Sequence, residues 1–238
     1  MSNPPDEPVR PVKPVGCRRS CTNYATRTLL DNWPQAMVWG RDEGPYKHAA
    51  PQRIPARFLV CVKNPAKWLV SYADYEARFL QMPSDQVLSQ LYHRERVETL
   101  IEAYVTKHHA WLHDDLAPHT GAVLRHEDAC QREHEAWRDV ADALDLAWPP
   151  PAHGAYRPVR ERVAPSNTGR KQPVAYQAPD YETHTYLARL SSTQRDAILA
   201  ALERAGATGH GGVLDQLGYP PRLDALLDKA VDATGVGP

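Results

Sequence analysis

Apolar residues recur at two spacings along this chain. Runs of strand length occur at Val12–Gly16, Ala36–Trp39, Arg57–Val62 and Gly121–Leu124. Between and after them, apolar positions return every three or four residues, the period of a helix with one buried face. This spacing predicts helices over Thr22–Asn32, over Ala66–Leu80 and over Glu133–Leu144. Pro65 stands in the favoured first-turn position of the second of these. A long helix is predicted over Ser84–His113, where Val87, Leu88, Leu91, Val97, Leu100, Ile101, Tyr104, Val105 and Leu112 keep helical register. Strands alternating with helices imply an α/β fold with a central, mostly parallel sheet flanked by helices.

Beyond residue 147 the pattern changes. Trp148–Pro179 holds seven prolines, few aliphatic residues and many Arg and Lys. It reads as a long basic loop without regular structure, of the kind that is functional or disordered. After it come Asp180–Leu190 and a well-marked helix. Ser191 and Gln194 form a capping box, Ala197, Ile198, Ala201 and Leu202 an apolar face, and Gly206 a stop. Leu223–Val231 reads as a short amphipathic helix.

Composition narrows the choice of partners. The 238 residues suit one α/β domain rather than two large ones. Met1–Lys13 carries four prolines, mixed charge and no apolar centre. We therefore expect residues 1–14 to be a disordered lead-in rather than a signal peptide, and 15–238 to form the domain. With 28 Lys+Arg against 29 Asp+Glu, no basic footprint for nucleic acid is evident. Arg18, Arg19 and Arg27 nonetheless make a local positive cluster. No apolar run approaches the length of a membrane span. The four cysteines, at 17, 21, 61 and 130, include no C-x-x-C pair, so reduced thiols in a cytoplasmic protein are expected.

The chemistry concentrates in Gly16-Cys-Arg-Arg-Ser-Cys-Thr-Asn-Tyr24, a polar loop between a strand and a helix. Backbone N–H groups and a positive helix end meet in such a loop and suit an anion. The simpler alternative is a helix cap in which Ser20 or Thr22 satisfies backbone donors. The nucleoside-triphosphate form, G-x-x-x-x-G-K-[ST], is not met, because Cys21-Thr22-Asn23 stands where glycine and the phosphate-gripping lysine belong. A second feature is Lys63-Asn-Pro-Ala-Lys-Trp-Leu-Val-Ser71. Ligands of open α/β sheets bind beyond the carboxyl ends of the strands. At this strand end Lys63 replaces the metal-binding acid of a nucleotide hydrolase, so a second anion contact is expected there.

Taken in order, these motifs resemble those of the sulfotransferases that use 3′-phosphoadenosine 5′-phosphosulfate. That family's 5′-phosphosulfate loop has the form [PRK]-[KR]-S-G-T-[TN]-[WY], and this chain reads Arg18-Arg-Ser-Cys-Thr-Asn-Tyr24. Its 3′-phosphate motif is a strand-end Arg or Lys, Pro two later and Ser eight later, as at Lys63, Pro65 and Ser71. Its later [RY]-x-E-D motif is matched by Arg125-His-Glu-Asp128. The likeness is strongest over residues 15–75, fair over 121–146 and weak elsewhere.

The resemblance implies that Arg18, Arg19, Ser20, Cys21, Thr22 and Asn23 hold the 5′-phosphosulfate and that Tyr24 stacks on adenine. It assigns Lys63 and Ser71 to the 3′-phosphate. His48 would be the general base and Lys47 would stabilise charge at the transferred group. The donor would leave as adenosine 3′,5′-bisphosphate, with no metal. The family closes the 3′-phosphate site with a late Arg-Lys-Gly segment. Here Arg170-Lys171 or Arg160/Arg162 stand nearest. The acceptor would be a hydroxyl or amine of a small molecule or glycan, and a homodimer is a further expectation. Trp39, Tyr46, Trp68, Tyr72 and Tyr75 either line a flat acceptor pocket or belong to the core.

Three alternatives stand beside this reading. Cys21, where the family has glycine, and the imperfect late loop would suit a donor-binding scaffold without chemistry. A kinase or nucleotide hydrolase is disfavoured by the missing loop lysine and by Lys63. His109 and His113, four apart on one helix face, have zinc-ligand spacing, but no third ligand is apparent and no metal is expected.

Overall fold

The computed structural model describes residues 11–36, 56–114, 116–159, 161–165, 171–175 and 185–205. Within them, a three-stranded parallel sheet has the order β1 (Val12–Val15), β2 (Arg57–Val62), β3 (Thr120–Arg125). Val12 pairs with Arg57 and Val15 with Val60, while Val60 pairs with Val123 and Val62 with Arg125. All four residues of β1 are buried. The candidate strand at 36–39 falls mostly outside the described residues.

Helices cover both faces of this sheet, and β2 shows why. Its side chains alternate, as a strand requires. Phe58, Val60 and Val62 enter one core with Leu69, Ile101, Tyr104, Val105 and Ile198. Leu59 and Cys61 enter the other with Leu29, Trp33, Leu124, Trp137 and Val140. The first core is built by α2 (Pro65–Leu80), α3 (Ser84–Leu91), α4 (Arg94–Leu112) and α7 (Ser192–Ala205); the second by α1 (Thr22–Asn32) and α6 (Glu133–Ala143). The short α5 (His126–Gln131) follows β3 directly. Among the described residues no helix is long and apolar enough to cross a membrane.

The long helix expected over 84–113 is two helices. His93 caps the second by accepting the Arg96 N–H through Nδ1 (3.2 Å). The carbonyls at the end of α3 are taken by the Gln194 side chain, which donates to Leu88 O (2.7 Å) and Tyr92 O (2.9 Å). Partners from α7 thus satisfy groups that would otherwise have continued the helix. The capping box of α7 is present in both directions. Ser191 N–H donates to Gln194 Oε1 (2.8 Å), and Gln194 N–H donates to Ser191 Oγ (3.2 Å).

The segment expected to lack regular structure contains two paired strands, β4 (Glu161–Pro165) and β5 (Lys171–Ala175), antiparallel with Glu161 opposite Ala175. Its approach is anchored to α1: Asn32 accepts from Arg157 N–H (2.7 Å) and donates to Arg157 O (2.9 Å). Gly206 and the helix expected over 223–231 lie outside the described residues.

Candidate functional site

Three connections leave the carboxyl ends of β1, β2 and β3 side by side. The first is the loop 16–21. Gly16 packs so closely on the central strand that a Cβ there would stand 2.5 Å from the Cys61 carbonyl oxygen and 3.3 Å from Cys61 Cβ. Only glycine permits that approach. Two left-handed residues, Arg19 (φ 71°) and Cys21 (φ 58°), then turn the chain into α1 on either side of Ser20. The Ser20 N–H donates to Cys17 O (3.1 Å). Its hydroxyl is fully buried and has no hydrogen-bond partner among the described residues, which is costly for a polar atom. α1 begins without a side-chain cap or an acidic first turn.

The loop is fastened to α2. The Arg18 carbonyl accepts from Trp68 Nε1 (2.7 Å), and its guanidinium donates to the Tyr75 hydroxyl (3.0 Å). Arg18 is thus directed along α2. Arg27, counted with the cationic cluster, instead pairs with Asp31 one turn on (2.8 Å). Thr22 is buried on the first turn of α1, and Asn23 is exposed beside it.

The second connection is built around Lys63. Tyr104 holds the strand end by accepting the Lys63 N–H (3.1 Å) and donating to the Lys63 carbonyl (2.5 Å). The Asn64 side chain caps α2 by accepting from Ala66 N–H and Lys67 N–H (3.0 and 3.2 Å), with Pro65 opening the helix. That cap aims the first turns of α2 back over the strand end. Lys63 Nζ donates to Ser71 Oγ at 3.3 Å, and both residues are buried. Burial pushes the Lys63 ammonium down to about 8; Arg19 and Lys67 push the same way, and Glu127 opposes them.

The third connection joins the second. Glu127 Oε1 accepts the Asn64 N–H (2.8 Å), so the last acidic motif pins the turn that carries Lys63. Its neighbour Asp128 faces outward to Arg132 (3.2 Å) and Arg125 (3.8 Å). His126 is buried with Nδ1 3.3 Å from Cys130 Sγ. Burial holds its imidazole well below the ordinary histidine value, and Lys63, Lys67 and Arg19 add to the effect. Three thiols resist ionisation: burial pushes Cys17 and Cys130 up to about 12, while Cys21 is raised first by a hydrogen bond with the Cys61 thiol and then by burial. All four cysteines are free.

The sequence reading therefore meets four outcomes. Arg19, Ser20, Cys21, Thr22, Lys63 and Ser71 lie around the adjacent ends of β1 and β2. Tyr24 does not present its ring to a ligand: it is buried against Trp137, donates to Glu133 Oε1 (2.6 Å) and accepts from Trp137 Nε1 (3.0 Å). Its adenine-stacking role is corrected on that ground. Lys47, His48, Arg160 and Arg170 lie outside the described residues, as do Trp39 and Tyr46; Lys171 begins β5. Trp68 belongs to the core, its ring 4.7 Å from that of Tyr104, whereas Tyr72 and Tyr75 are half-buried along α2.

His109 and His113 stack at 4.9 Å, with His109 Nδ1 3.2 Å from Asp114. Among the described residues no three His, Cys, Asp or Glu side chains gather as a metal-ligand group. Sequence reasoning passed over Lys67 and His126. The available signal was spacing, since Lys67 stands midway between Lys63 and Ser71.

A buried lysine, a buried hydroxyl with no partner among the described residues and an uncapped helix start together suit a multiply charged anion. Comparisons with family models, with curated proteins and with solved structures found no match to this chain.

Proposed function

We propose that the protein is a sulfotransferase that takes its sulfuryl group from 3′-phosphoadenosine 5′-phosphosulfate. The observation that carries this reading is the buried pairing of Lys63 with Ser71 beside a loop whose Ser20 hydroxyl has no partner among the described residues. A lysine drawn into the interior and answered mainly by a hydroxyl is poorly compensated until an anion arrives. The two anionic ends of the donor match the two places that offer this: the loop for the 5′-phosphosulfate, Lys63 and Ser71 for the 3′-phosphate. ATP lacks the second phosphate position.

In the proposed reaction an acceptor hydroxyl or amine attacks the sulfur in line. The bond from sulfur to the 5′-phosphate oxygen breaks, and adenosine 3′,5′-bisphosphate leaves with the electron pair. The acceptor proton passes to a base. Arg19, Ser20, Thr22 and the loop N–H groups bind the phosphosulfate and stabilise charge as it moves to the leaving oxygen. His48 as base and Lys47 beside the transferred group rest on the motif resemblance alone. The acceptor is proposed to be a small molecule or a glycan.

The test is incubation with donor radiolabelled in the sulfuryl group and a mixed panel of phenols, alcohols, amines and glycans. Label is expected in an acceptor product with the unaltered chain and lost with His48→Ala, while donor binding by the variant persists. Donor binding with no transfer to any acceptor would favour the scaffold alternative. An active His48→Ala variant would remove His48 from the mechanism.

A further inference from the structure

The loop after β1 reverses at Cys17–Ser20, where the Ser20 N–H donates to Cys17 O (3.1 Å). Within that turn Arg19 has φ 71°, while Arg18 is not among the residues of positive φ. A negative φ followed by a positive one defines the type II form. That form favours glycine at its third residue, because an L side chain is strained there. Arginine does not select it. Turning the Arg18–Arg19 peptide over gives the type I form, which keeps the closing hydrogen bond and lets Arg19 take a negative φ. The type II form therefore needs support from outside the turn.

Trp68 supplies it. Its indole Nε1 donates to Arg18 O (2.7 Å), the oxygen of the very peptide that would turn over. The indole is buried and closely held, with ring centroids 4.7 Å from Tyr104 and 5.4 Å from Tyr72. Tyr104 in turn clasps the N–H and the carbonyl of Lys63. Trp68 is thus fixed against the residue that grips the end of β2, and from there it reaches the loop. In a trans peptide the N–H points opposite to the C=O, so the bond at Arg18 O also directs the Arg19 N–H away from the indole. Ser20, with its buried hydroxyl, follows directly in the chain.

We infer that Trp68 is a positioning residue: its indole N–H holds the Cys17–Ser20 turn in the type II form, the form in which the loop receives the 5′ end of the donor. The inference rests on the donor assignment above. Without that N–H the Arg18–Arg19 peptide turns over in part of the molecules. Affinity at the loop then falls with the fraction left in the binding form.

The test is calorimetric titration of the full chain with adenosine 3′,5′-bisphosphate, adenosine 5′-monophosphate and adenosine 3′-monophosphate. Trp68→Phe keeps a ring against Tyr104 and removes the donor. It is expected to weaken binding of the bisphosphate and of the 5′-monophosphate alike, by about fivefold, the scale of one net hydrogen bond. Affinity for the 3′-monophosphate should stay within about twofold, because that ligand does not use the loop. Arg19→Gly lowers affinity by removing a guanidinium, but glycine keeps the type II form unaided. Adding Trp68→Phe to it should therefore change bisphosphate affinity by less than about twofold, whereas general damage to the core would cost the same in both backgrounds. Equal weakening toward all three ligands, no weakening toward any, or an undiminished loss in the Arg19→Gly background overturns the role of Trp68. An unaltered chain that does not prefer the bisphosphate to both monophosphates overturns the donor assignment and this inference with it.

Discussion

Lys63 Nζ and Ser71 Oγ lie 3.3 Å apart inside the protein, one at the end of the central strand and the other two turns into the helix that follows. The Asn64 cap, the Pro65 helix start and the Glu127 clamp on Asn64 N–H bring them together. Replacing Lys63 by Met removes the charge and keeps the stem. Affinity for adenosine 3′,5′-bisphosphate should then fall by about 1.5–3 kcal/mol, the range for a hydrogen bond to a charged group. Ser71→Ala should cost about 1 kcal/mol by the same measure. Titration calorimetry checks both. Unchanged affinity in Lys63→Met would place the 3′-phosphate elsewhere.

The depressed Lys63 value gives opposite pH trends for the free and the liganded protein. In the free protein Lys63 titrates near 8, below its unfolded value of 10.5. Below pH 8 the lysine is charged in both states, and the cost of burying it is fully present. Between 8 and 10.5 the unfolded chain holds more protons, so this group's contribution to stability rises with pH. Anion binding requires the charged form, so affinity for the bisphosphate should fall as pH rises above about 8. Melting curves and titrations at pH 7, 8 and 9 check this, and Lys63→Met should flatten both trends. Parallel trends in stability and affinity would contradict the assignment.

Cys21 occupies the left-handed region at φ 58°, where the loop motif it resembles has glycine. A side chain there costs roughly 1–2 kcal/mol. Glycine removes that strain but adds roughly 0.4–1 kcal/mol of unfolded-state entropy and loses the contact of the Cys21 side chain with the core formed by α1 and α6. Cys21→Gly is therefore expected to raise the melting temperature slightly, by about 1–3 °C for a chain of this size. Donor-site affinity should be retained or improved. A marked loss of either would mean that the Cys21 thiol, which shares a hydrogen bond with Cys61, is itself required.

Local signals were legible where they were complete within a few residues. Thr22–Asn32 begins and ends as its apolar spacing predicts, Pro65 opens α2, and Ser191 and Gln194 cap α7 reciprocally. The features that escaped depend on distant partners. Gln194 ends α3 across 106 residues, and nothing within 84–113 announces it. Tyr24 reads as a ligand-facing aromatic until α6 supplies Trp137 and Glu133 to bury it. Likewise β4 and β5 pair in a proline-rich stretch where side-chain periodicity carries little information. In the candidate site the motif spacing identified Lys63 and Ser71. The clamp of Glu127 on the Asn64 N–H, beside Lys63, required the register of β3 against β2.

Thermal-shift titration of the full chain with adenosine 3′,5′-bisphosphate, set against ADP and against ATP with magnesium, is the most direct measurement. A ligand that binds only the folded state stabilises it by RT ln(1 + [L]/Kd), about 2.7 kcal/mol at a hundredfold excess over Kd. A clear rise in melting temperature is expected with the bisphosphate and little change with either of the others. A larger shift with ADP or with ATP and magnesium would contradict the sulfotransferase assignment and return the loop at Gly16 to the nucleotide hydrolases.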